Sequence, residues 1–145
     1  GQHEKAHQLL DAAIAANGNH RGPKPSELQA RMAKLAAAAD DKQSQLRWLG
    51  IALESNKRDG YIAADLAQLA MELGDLETAF KALRVLTVSR RESSMSLAMA
   101  FLLQAKIAHQ KGESRQAHMW GRRALSEDPE LEEAEEFIRE LESAG

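Results

Sequence analysis

The sequence predicts an all-α fold of antiparallel helix hairpins stacked one on the next, and three observations carry that prediction. Alanine and leucine, strong helix formers, are frequent, while aromatics are 4% of the chain and prolines number three. Apolar residues recur at i, i+3, i+4 and i+7 in each stretch between turns, the spacing of an amphipathic helix. A block also repeats: Trp48-Leu-Gly-Ile-Ala52-Leu53 is echoed by Trp120-Gly-Arg-Arg-Ala124-Leu125, 72 residues later, or two units of about 34 to 38. A chain of 145 residues with 43% hydrophobic content is a one-domain length with enough apolar surface for a continuous core.

The elements follow in order. Residues 2–17 read as one helix with Ala6, Leu9, Leu10, Ala13 and Ile14 inward, and Gly18 as its stop. Gly22, Pro23 and Pro25 make the next stretch a loop, and Ser26 and Glu27 open the following helix. Leu28, Met32, Leu35 and Ala36 share a face before the turn at Asp40-Asp41, and Leu46, Leu49, Ile51 and Leu53 follow it. Ile62, Leu66, Leu69, Ala70 and Leu73 lead into a turn at Gly74-Asp75, with Leu76, Ala79, Phe80, Leu83 and Leu86 beyond. A helix from Met95 through Ile107 reaches the turn at Gly112-Glu113, and Ala117, Trp120, Ala124 and Leu125 form the next stripe. The first two turns are 34 residues apart and the last two 38. Asp128, Pro129 and the following glutamates signal a new N-terminus, with Leu131, Ala134, Phe137, Ile138 and Leu141 as its buried side. The expected organisation is a single domain of eight helices: a half-unit at 2–18, hairpins at 26–59, 60–93 and 94–128, and a capping helix at 129–143.

Charge and special residues exclude several classes of function. With no cysteine there is no disulfide, thiolate metal site or cysteine nucleophile, and both cytosol and periplasm remain open. The longest uncharged apolar run, Leu97 to Leu103, is far short of the roughly 20 residues of a membrane span, so a soluble domain without membrane insertion is expected. Gly1 resembles a processing or tag scar, so a fragment of a longer protein is expected. The net charge of −3 hides an asymmetry: nine acids and one base lie between Glu127 and Glu142, leaving 18 bases against 13 acids elsewhere.

These residues resemble the tetratricopeptide repeat family. Met32-Ala33, Leu66-Ala67 and Gln104-Ala105 take the places of its leucine and small residue between paired helices. Gly74-Asp75 and Gly112-Glu113 match its Gly-Asp turn and Asp40-Asp41 does so more loosely; Ala79 and Ala117 match its early alanine of the second helix, Ala52-Leu53 and Ala124-Leu125 its later pair, and Pro129 its unit-ending proline. Small residues let helices approach closely, and hairpins too small to hide an apolar face alone must stack. The chain departs from the pattern at Gln45, at Leu86 and Thr87, at Gln104, and at Ala36, Ala70 and Ala108, where the family has a larger residue. Four extra residues separate the second and third units.

The resemblance implies a right-handed solenoid whose first helices line a concave groove that receives a peptide or helix of a partner protein. Carried over by position, that groove consists of Glu27, Ala30, Lys34 and Ala37 in the first unit, Tyr61, Ala64, Gln68 and Met71 in the second, and Met99, Leu102, Lys106 and His109 in the third. Leu102 and Met99 also suit plain packing on a neighbouring helix. The family's two-carboxylate clamp for chaperone tails is missing, because Ala30, Lys34, Gln68, Leu103 and Leu102 stand at its places.

Rival chemistry is thinly supported. His3 and His7 have a chelating spacing without a third ligand, so a solvated helix face is expected and no metal or other cofactor. His109 and His118 flank a turn with no obvious Ser or Asp placed to complete a nucleophilic set, and no catalysis is expected. Arg84, Arg90, Arg91, Arg115, Arg122 and Arg123 form a basic group, read as a solvated outer face rather than a nucleic-acid surface. Trp48 and Trp120, at equivalent repeat places, read as packing residues. The function expected is a protein–protein interaction scaffold; the alternatives are self-association into a homo-oligomer, or a docking domain of a larger enzyme or assembly.

Overall fold

The computed structural model describes residues 25–38 and 41–144. They form seven helices and, among the described residues, no strand: α1 Pro25–Ala38, α2 Lys42–Ser55, α3 Gly60–Leu73, α4 Leu76–Thr87, α5 Leu97–Gln110, α6 Ser114–Glu127 and α7 Glu132–Ala144. The expected half-unit at 2–18, with His3 and His7, lies outside the described residues.

One hydrogen bond recurs at every turn between paired helices. The backbone N–H of Asp41 donates to the Ala36 carbonyl at 2.9 Å, that of Asp75 to Ala70 at 2.8 Å, and that of Glu113 to Ala108 at 2.9 Å. Gly74 and Gly112 adopt φ of 80° and 78°, a region that side chains disfavour, and each donates to the carbonyl three residues back. The residue after each glycine then starts the next helix. Asp41 accepts from the Ser44 N–H at 3.1 Å and its hydroxyl at 2.8 Å; Asp75 repeats this with Thr78 at 3.1 and 2.7 Å. Glu113, one methylene longer, makes no side-chain cap.

Each helix packs on its neighbours in the chain. The most extensive contacts join α1 to α2, α3 to α4 and α5 to α6, and thinner ones join α2 to α3, α4 to α5 and α6 to α7. Small residues sit where helices meet: Ala33, Ala67 and Ala105 on the first helices, and Ala52, Ala79, Ala117 and Ala124 on the second, are all buried. One apolar cluster runs from Met32 to Ile107, and a second joins Phe101, Leu102, Phe137 and Leu141 across α5, α6 and α7. Among the described residues no helix is long and apolar enough to cross a membrane.

Two departures from the repeat pattern meet in space. Gln104 stands where the earlier units have Met32 and Leu66, and Thr87 stands where the other units have Leu53 and Leu125. Both are buried; the Gln104 amide donates to the Thr87 hydroxyl at 3.2 Å, and that hydroxyl donates to the Leu83 carbonyl at 3.3 Å. Among the described residues the Gln104 side-chain oxygen is the one buried side-chain polar atom without a hydrogen-bond partner. A buried amide is costly alone, so the two polar residues make sense together.

The extra length between the second and third units is anchored on both sides. In the connection from α4 to α5, Arg90 takes a left-handed φ of 50°, and its guanidinium bonds the Glu127 carboxylate of α6 at 3.2 and 3.3 Å. Two residues on, the Glu92 carbonyl lies 2.2 Å from where a β-carbon on Gly60 would stand. The last helix starts at Glu132 instead of Pro129. Asp128 spends its carboxylate on the Glu130 N–H at 3.0 Å, while the Leu131 carbonyl receives the Ala134 and Glu135 amides. Residues 128–131 are therefore a turn.

Gly60 and Gly50 should respond oppositely to alanine. Gly60→Ala forces the Glu92 backbone away and is expected to cost about 1–3 kcal/mol. A β-carbon on Gly50, mid-helix in α2, meets nothing within 4 Å, so Gly50→Ala should gain up to about 1 kcal/mol in helix propensity. Urea unfolding of both variants checks this; equal shifts in the same direction would contradict the packing at Gly60.

Candidate functional site

The predicted groove residues divide by burial. Ala64 and Leu102 are fully buried and face no outside partner; they belong to the helix contacts. Met71 and Met99 are half-buried against the core. Glu27, Lys34, Tyr61, Gln68 and His109 are exposed, and Lys106 is half-buried.

The exposed members build a row because α3 is otherwise apolar. On its two inner faces lie Ile62, Ala63, Leu66, Ala67, Leu69 and Ala70, all buried. Tyr61, Asp65, Gln68 and Glu72, spaced four, three and four apart, make up its solvent stripe. Asp59, capping α3 through the Tyr61 and Ile62 N–H groups at 3.0 and 3.1 Å, fixes where that stripe begins. The Tyr61 ring is 52% exposed, which makes it one of few large apolar groups facing water.

Charge acts between α1 and α3 and between α5 and α7. Lys34, seven residues before the first turn, acts on the Asp65 carboxylate of α3. Lys106, seven before the third, lies 3.9 Å from Glu133 of α7, and Gln68 holds the equivalent place between them. His109 meets the Phe137 ring edge-on at 5.9 Å, so it too bridges α5 to α7. Partial desolvation of the carboxyl against the helix surface raises Asp65 from its ordinary value; the Lys34 charge opposes that shift and the Asp59 charge adds to it. Sequence reasoning missed Asp65, although the Tyr61-Asp65-Gln68 spacing marks it as part of the same stripe.

The cavities lie elsewhere. A cleft of about 510 Å³ between α2 and α4 is lined by Ile51, Leu53, Leu66 and Val85 with Arg47, Lys57 and Lys81 at its edges. A second, of about 410 Å³, lies between the end of α4 and α6. Both border the second helices, and neither is lined by any of the predicted groove residues. All six arginines of the basic group are exposed; Arg90 and Arg123 both reach Glu127, at 3.2 and 3.6 Å. Trp48 is buried beneath Arg47, and Trp120 is half-buried, stacked on Phe101 at 5.7 Å. Among the described residues no three His, Cys, Asp or Glu side chains form a metal-binding group.

Compared with known proteins, the chain matches no family model and no curated relative.

The Asp65 shift carries a signed prediction. With its folded pKa raised, the folded state binds more protons than the unfolded state in the window just above the ordinary carboxylate pKa, so stability falls as pH rises through it. Asp65→Asn is therefore expected to raise the melting temperature slightly at pH 7 and leave it unchanged at pH 3. A lower melting temperature at pH 7 would mean that the Lys34 attraction outweighs burial.

Proposed function

We propose that this chain is a tetratricopeptide-like solenoid that acts as a protein–protein interaction scaffold, holding a peptide or helix of a partner along its first helices and performing no chemistry itself. The observation that carries this reading is the exposed row Tyr61, Asp65 and Gln68, flanked by Lys34 and Lys106 at the same repeat position. An exposed tyrosine offers large contact area at low entropic cost, and such rings recur among the residues that dominate binding. Beside it lie an amide and charges of both signs, which fix register and orientation more than affinity. Beneath the row Ala63, Ala64, Ala67 and Ala70 are fully buried, so the row rests on helices packed nearly backbone to backbone and is pre-organised.

The solenoid part of the reading is supported by the identical bond at the three turns and by the charge links from α1 to α3 and from α5 to α7. In such a solenoid a two-helix period would set each first helix beside the next first helix, and a partner that follows them would read one short segment per unit.

A photo-crosslinking residue at position 68, with one at position 143 near the end of α7 as control, tests the assignment. In the host cell the first is expected to capture a discrete protein that the second does not, and adding Tyr61→Ala with Lys34→Glu should reduce that capture at least about tenfold at unchanged helicity. Equal capture from both positions, or capture indifferent to the double variant, refutes the first-helix row.

A further inference from the structure

The cleft between the end of α4 and α6 has the features of a second binding site, on a different surface from the first-helix row. Among the described residues four large apolar side chains are conspicuously exposed, and two of them, Val88 at 65% and Met119 at 52%, line this one cleft. Its volume of about 410 Å³ falls within the roughly 300–1,000 Å³ of ligand clefts. Trp120 lines the same cleft, stacked on buried Phe101 at 5.7 Å with 20° between the rings. The Arg123 guanidinium lies 5.3 Å from the Phe101 ring centre, fixed there by its ion pair to Glu127.

The rim is cationic. Arg122, one turn from Met119 and Ser126, is exposed and has no ion pair among the described residues, while Arg123 is only partly neutralised, since Glu127 is shared with Arg90. Arg122 occupies the repeat place held by Gly50 in α2 and Arg84 in α4, nine residues after the capping acid in each case. With glycine at that place in the first unit and Arg122 exposed, packing inside the fold does not call for a guanidinium there.

We propose that this cleft binds an acidic amphipathic peptide of a partner protein, whose apolar side chain lies on Val88, Met119 and Trp120 and whose flanking carboxylates pair with Arg122 and Arg123. Charge complementarity selects that occupant: outside the acidic stretch at 127–142 the chain has 18 bases against 13 acids, and the rim presents two adjacent arginines. A guanidinium receives a carboxylate through two parallel bonds, and the exposed valine and methionine need an apolar group to cover them. A nucleic acid fits less well. A run of closely spaced phosphates needs a run of cations, and this rim presents two arginines, one of them paired with Glu127.

The test is a fluorescence titration of the whole chain with a synthetic peptide in which Phe and Leu alternate with Glu; its Glu→Lys counterpart and a thymidine oligonucleotide serve as comparisons. Of the two tryptophans only Trp120 borders the cleft, so a Trp48→Phe background isolates the signal. The acidic peptide is expected to bind saturably and more weakly as salt rises, and the Lys peptide is not. Arg122→Glu and Met119→Ser should each weaken binding at least about tenfold without changing helicity. Lys34→Glu with Tyr61→Ala, on the first-helix row, should leave it unchanged, so this site and the proposed partner row fail separately. The proposal is overturned by no saturable change up to about millimolar peptide, by indifference to Arg122→Glu, by loss on the Lys34/Tyr61 variant, or by oligonucleotide binding that displaces the peptide.

Discussion

Helices can approach only as closely as the smallest side chains between them allow, and in this chain those side chains are alanines. Ala33, Ala67 and Ala105 lie eight residues before their turns, and in the second and third hairpins Ala79 and Ala117 lie four after, so those two hairpins are drawn together at matching places, while the first has Gln45 there. Larger apolar groups then fill what the alanines leave: Leu83, Leu86, Leu102 and Ile107 are fully buried. The turn bond from the residue after the glycine to the last buried alanine carbonyl sets the offset of the second helix against the first. That explains why Ala36, Ala70 and Ala108 stand where the resembled family has bulk: each is buried beside its turn, and its carbonyl closes the hairpin.

The same economy of side-chain volume separates the two surfaces. On the first helices alanine packing leaves narrow solvent stripes, and these hold Tyr61, Asp65 and Gln68 with lysines on either side. On the second helices the crossings leave clefts, and these are edged by arginine and lysine. The acidic charge is concentrated on the last helix, where Glu133 meets Lys106, and in Glu127 just before it, which holds Arg90 and Arg123.

The all-helical fold and its turns were legible because helical period and turn chemistry are local properties. Gly74-Asp75 and Gly112-Glu113 announce a left-handed residue followed by a helix start, and both hold that geometry. The start of α7 was less legible, since Asp128 can cap either a helix or a tight turn, and only the Leu131 carbonyl geometry decides between them. Burial of particular groove positions was legible only in part: Leu102 and Met99 already suited plain packing, whereas nothing set Ala64 apart. Ala64 and Leu102 carry the right spacing for the first-helix face, but spacing gives a direction about the axis and not the distance to the next helix. Partnerships between distant residues were equally hidden: Gln104 and Thr87 each looked like an isolated departure until the fold placed them 3.2 Å apart.

Close approach through alanine is tested most directly by enlarging one such residue and comparing it with its neighbour. Ala67→Leu places a bulky side chain in a fully buried contact on α3, whereas Gln68→Leu places the same side chain on the solvent stripe of the same helix. Urea unfolding should show Ala67→Leu destabilised by about 1–3 kcal/mol and Gln68→Leu within about 0.5 kcal/mol of the parent. If the two variants unfold at the same midpoint, the helices are not held together at these alanines and the account of the fold is wrong.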